Sequence, residues 1–164
     1  MLGTSKEIKN PGLNILPPGV ERHVVNGGAL TAFQIFPDDE LEIINNEGNQ
    51  ICEIICFNKD GKSDSGILNI KTNNDKNFIR SILNSKDETI LATNHQLKKR
   101  NLNISDSKSS IIFDLDTKAG ESFKLKSKDK CYAIFAAPSE DMDVTNQNPP
   151  SDLTIFIKRS QIVN

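Results

Sequence analysis

Two histidines, three cysteines and two amide- and carboxylate-rich stretches are the residues of this chain whose types could do chemistry. His23 stands beside Arg22 in a strand-like segment, and His95 lies in Thr93-Asn94-His95-Gln96, which reads as a loop. Neither has a second histidine, a cysteine pair or a carboxylate at ligand spacing, so no metal ligands are assigned. Either histidine could still meet Cys131 or Cys52 across space as a base–nucleophile couple, and with His95 this would be the chemistry of a C–N bond hydrolase. A surface or edge histidine is the simpler reading. Val25-Asn26-Gly27-Gly28 lacks the later glycine and the following helix of a phosphate loop, and there is no Gly-x-Ser-x-Gly elbow. The chain alone carries no complete catalytic set, and no catalytic residue is assigned.

The polar stretches are better placed to bind than to react. Asn46-Glu47-Gly48-Asn49-Gln50 sits between two apolar strands and offers a carboxylate, amides and a glycine that lets backbone approach. The run from Asp141 to Asp152 is a polar loop ahead of the last strand, with Pro149-Pro150 limiting its conformations. Together with Glu53 in the strand that follows the first, they nominate Glu47, Gln50, Asn146 and Asp152 as a ligand site for an amino acid, a urea or a guanidine-like molecule. The plainer alternatives are a hairpin whose side chains cap their own backbone and a rigid crossover into the final strand.

These stretches must be held by a framework that reads as mostly β, a barrel or sandwich of about ten short strands with one short helix. The strand segments are Arg22–Val25, Ala29–Phe36, Glu40–Ile44, Ile51–Phe57, Gly66–Lys71, Thr89–Ala92, Ser110–Leu115, Ser122–Leu125, Cys131–Ala136 and Asp152–Lys158. Glu40 and Glu42 alternate with Leu41 and Ile43, as one wet and one buried face require. The helix is expected from Asp75 to Asn84 behind an Asn74 cap, with Phe78, Ile79, Ile82 and Leu83 as its apolar stripe. Lys98-Lys99-Arg100 reads as a solvated loop. Residues 1–19 form an extended N-terminal loop and 20–160 a single β domain. On a strand, Cys52 and Cys56 would lie about 13 Å apart, too far for a disulfide, so they are expected as reduced, buried thiols.

Composition narrows the class further. A net charge of −2, with 20 basic and 22 acidic residues mixed along the chain, gives no footprint for nucleic acid. No apolar run is long enough for a membrane span, and Met1–Lys6 has no apolar signal core, which points to a cytoplasmic protein.

Glu47-Gly48-Asn49-Gln50 and the strand through Phe57-Asn58 resemble a segment of the urea-carboxylase-associated family. Pro18-Gly19 through Val24 and Pro37-Asp38-Asp39-Glu40-Leu41-Glu42-Ile43 are similar to that family's opening. Asp141-x-Asp143-x-x-Asn146 with Pro150-Ser151-Asp152-Leu153 resembles its ending. The likeness frames residues 17–58 and 131–158 and leaves the middle unmatched. The family's His-Asp stretch and following cysteine have no counterpart between Asn58 and Ser110, which implies a degenerate copy that keeps the scaffold without the chemistry. Leu16 through Val25 also resembles N-terminal extensions of aminomethyltransferases related to the glycine-cleavage T-protein. The resemblance therefore implies a non-catalytic scaffold or interaction domain, joined to or accompanying such an enzyme. Tetrahydrofolate would be the cofactor of that enzyme and not of this chain.

Overall fold

Alternating apolar residues pin two antiparallel sheets face to face. The computed structural model describes residues 16–72, 78–84, 87–102, 104, 107–139 and 149–161. Its strands are β1 (Val20–Val25), β2 (Leu30–Ile35), β3 (Glu40–Asn45), β4 (Cys52–Phe57), β5 (Ser110–Ile112), β6 (Ser122–Lys126), β7 (Cys131–Ala136) and β8 (Leu153–Lys158). One sheet runs β1-β8-β3-β6 and the other β2-β7-β4-β5, every pairing being antiparallel. Through its first four strands the chain crosses from sheet to sheet at each turn. The architecture is a sandwich and not a closed barrel.

Leu41, Ile43, Ile155 and Ile157 of the first sheet meet Ile35, Ile54, Ala133 and Phe135 of the second in one buried cluster. The outer face of the first sheet is wet. There Glu40 lies opposite Lys126 and Lys158, and Glu42 opposite Lys124, cross-strand neighbours of opposite charge. The outer face of the second sheet is covered by two helices, α1 (Phe78–Leu83) and α2 (Glu88–Lys99). Ile79, Leu83, Ile90 and Leu97 pack there on Ile55, Phe57 and Ile134. Strands β4 and β7 are thus covered on both sides, which is why Ile51–Phe57 and Cys131–Ala137 are near-continuous apolar runs.

Eight strands are found among the described residues, and two expected strands take another form. Thr89–Ala92 lies in α2, whose N-cap Asp87 accepts hydrogen bonds from Thr89 N and Ile90 N at 2.9 and 3.4 Å. Its β-branched residues suggested a strand, but the cap and the seven-residue spacing of buried Ile90 and Leu97 prevail. Gly66–Lys71 opens with a short 3-10 turn, Ser65–Leu68, capped by Asp64. His95 and the run Lys98-Lys99-Arg100 belong to the exposed side and end of α2 rather than to a loop. The Asn74 cap and the first 15 residues of the N-terminal loop lie outside the described residues. At Pro17–Val20 the chain makes a tight turn, with Gly19 at φ 81° and Val20 N donating to Pro17 O. Among the described residues no helix is long and apolar enough to cross a membrane.

Candidate functional site

The first polar stretch meets the described end of the second, residues 149–152, and the contact runs from the Gln50 side chain to backbone. β3 pairs with β6 and β8 while β4 pairs with β5 and β7, so Asn46–Gln50 is a crossover between sheets and not a hairpin. The crossover is tight at Gly48, where φ is +79° and a Cβ would lie 2.7 Å from Thr117 O and Ala119 N. Gln50, buried at its end, links three segments. Its Oε1 accepts from Ser151 N at 2.9 Å, and its Nε2 donates to Pro138 O at 2.8 Å and to Ile51 O at 2.9 Å. Asn45 Nδ2 closes the loop by donating to Gln50 O at 2.7 Å.

Asp152 works in the same junction. Its Oδ1 accepts from Gly27 N at 2.8 Å and fixes the turn between β1 and β2. A side chain at position 27 would collide with Pro150, whose carbonyl oxygen would be 2.3 Å from the added carbon. Gln50 and Asp152 therefore flank one backbone junction, which the Gln50 amide and Asp152 Oδ1 hold together.

Glu53 faces away from that junction, toward the helices. Its carboxylate accepts from Phe78 N at 3.0 Å, Ile79 N at 2.6 Å and Ser109 Oγ at 2.7 Å. Buried completely, it seats the start of α1 on β4. Glu47 is exposed on the crossover, and Asn146 lies outside the described residues. The described members of the expected set therefore take three different positions: the junction, the seat of α1 and the exposed crossover.

Cys52 and Cys56 point into the inter-sheet core, as does Cys131 at the start of β7. Burial pushes the Cys52 thiol far up, and the neighbouring Glu53 charge adds to this. The Cys56 thiol is pushed up chiefly by its hydrogen bond with Cys131, which in turn is lowered by that bond. The contact between Cys56 and Cys131 was not legible in the sequence, because they lie on paired strands 75 positions apart. His95 is exposed on α2, across the second sheet from the core that holds Cys52 and Cys131, so the expected couple with these thiols is not formed. Among the described residues no group of three His, Cys, Asp or Glu is arranged to hold a metal ion.

Sequence reasoning also missed a charged network at one end of the sandwich. Arg159 forks onto Glu21, with Nε 2.8 Å from Oε2 and Nη2 3.0 Å from Oε1, and its Nη1 donates to Asp39 Oδ2 at 2.7 Å. Burial raises the Asp39 carboxyl, but hydrogen bonds from Ser160 N, Phe36 N and Arg159 outweigh it and hold the group below its ordinary value. The Arg159 hydrogen bond likewise lowers Glu21. His23 completes the group, with Nε2 3.0 Å from Glu21 Oε1 and its ring stacked on Phe33 at 4.4 Å. Only the assembled sandwich brings these positions together.

No protein-family model matches the chain. It is similar to the trimethylamine-oxide aldolase of Ruegeria pomeroyi, with 31% identity over 153 residues. Those residues are 93% of this chain but 19% of that protein, so the chain spans about a fifth of the length of the relative it matches.

Proposed function

We propose that this chain is a non-catalytic scaffold or interaction domain of a larger enzyme system that handles one-carbon units carried on nitrogen. The observation that carries the reading is the use of Gln50, Glu53 and Asp152. Each is a polar residue that sequence nominated for a site, and each accepts a hydrogen bond from a backbone amide of a distant segment. The similarity to about a fifth of a trimethylamine-oxide aldolase supports a role as part of a longer enzyme. The resemblance to the urea-carboxylase-associated family and to aminomethyltransferase extensions supports an aminomethyltransferase-like neighbour, joined or separate, with tetrahydrofolate as that neighbour's cofactor. Trimethylamine oxide and folate-linked substrates share one feature, a single carbon bonded to nitrogen, and this common chemistry supports placing the two likenesses together.

A second reading, in which the chain itself cleaves a C–N bond, draws support from the name of that relative. The experiment that separates them uses the purified chain with trimethylamine oxide, with and without an aminomethyltransferase-like enzyme encoded beside it. The scaffold reading expects no aldehyde above the blank from the chain alone, and co-elution of the two proteins on size exclusion. Steady aldehyde release by the chain alone would overturn it.

A further inference from the structure

A cleft of about 400 Å³ opens where the turn after β4, the end of α2 and the start of β7 converge, away from the Gln50–Asp152 junction. Its lining includes Lys59, Asp60, Arg100, Lys130 and Tyr132, three cations against one carboxylate in a chain whose net charge is −2. Among the described residues none of the three cations forms an ion pair. Each sits on ordered backbone. Asn58 Oδ1 accepts from Asp60 N at 2.9 Å and from Lys62 N at 3.1 Å, which fixes the turn that carries Lys59.

Arg100 caps α2, and the following Asn101 takes the left-handed conformation at φ 58°. Near the helix end Gln96 O, Lys98 O and Leu97 O accept from Arg100 N, Asn101 N and Leu102 N. The Arg100 guanidinium lies 4.2 Å over the Tyr132 ring, which restrains it while leaving its edge donors available. The volume falls in the range of small-molecule sites.

We infer that this cleft binds a small polyanion bearing carboxylate or phosphate groups, held by Arg100, Lys59 and Lys130. The inference does not depend on the scaffold reading, because it uses none of the same residues. Tyr132 is the only tyrosine and the chain has no tryptophan, so intrinsic fluorescence reports on this cleft directly.

Citrate and inorganic pyrophosphate are titrated at constant ionic strength, with Tyr132 emission and thermal midpoint as readouts. A saturable response to either is expected, and which one responds distinguishes carboxylate from phosphate recognition. Arg100→Gln and Lys130→Gln, each checked for folding by circular dichroism, should weaken binding about tenfold or more. If Arg100→Gln fails to fold, Lys59→Gln and Lys130→Gln carry the comparison. No saturable response to either anion, or an unchanged response in the folded variants, would overturn the inference. A response to hexaglutamate peptide alone would overturn it too, assigning the cleft to an acidic chain.

Discussion

Glu53 sits in a place where an ionised side chain is costly to bury, and three hydrogen bonds offset that cost. Replacing it with alanine removes the acceptor from two helix-start amides and one buried hydroxyl. The expected loss is about 3 kcal/mol or more, read as a lower urea midpoint with little change in slope. Glu53→Gln keeps one acceptor oxygen and should lose distinctly less. An alanine variant as stable as the parent would mean that α1 does not depend on this seat. Sequence could flag Glu53, a lone carboxylate inside Ile51–Phe57, but could not tell a ligand contact from a helix seat. That choice depends on which face of β4 the helix covers, and the covering residues lie more than 20 positions away. Gln50 and Asp152 were ambiguous for the same reason, since Ser151 N, Pro138 O and Gly27 N, which they bond, are backbone groups supplied by distant segments.

At the scale of elements, strands with clear alternation and turn residues at both ends were legible from the sequence. β3 is the plainest example: Leu41 and Ile43 face the core and Glu40 and Glu42 face solvent, as their alternation requires. α2 was not legible, because the β-branched start of Thr89-Ile90-Leu91-Ala92 hides a helix that is declared mainly by its ends. Those ends are testable. Asp87→Ala removes the acceptor for Thr89 N and Ile90 N and should cost about 1 kcal/mol. Asn101→Gly should be neutral or mildly stabilising at its positive φ, whereas Asn101→Val should be destabilising. Denaturant midpoints of the three variants, ranked glycine above alanine-87 and valine, would check this; a valine variant matching glycine would contradict the left-handed cap. Strand order was beyond reach of the sequence, since successive strands lie in different sheets.

At the scale of the whole molecule, Arg159 joins several distant segments. It follows β8, forks onto Glu21 of β1, donates to Gln34 O of β2 at 2.9 Å and reaches Asp39 in the turn before β3. Both sheets are therefore clasped at one end by a single guanidinium. The carboxylates it holds titrate below their ordinary values, Glu21 mainly through Arg159 and Asp39 through hydrogen bonds that overcome its burial. A carboxylate depressed in the folded state binds protons more readily when unfolded. Its stabilisation is complete above the unfolded value near 4 and disappears as pH falls through the folded value. Stability should thus drop between roughly pH 5 and pH 2, with the clasp contributing to the slope. Arg159→Met should cost roughly 3 kcal/mol at neutral pH, because Asp39 is left buried without its cation. The same variant should lose less on acidification than the parent, since protonating Asp39 then relieves a penalty instead of breaking a bond. Chemical denaturation at pH 7 and pH 3.5 gives both values, and two pH profiles that run parallel would show that the sandwich is not closed by this clasp.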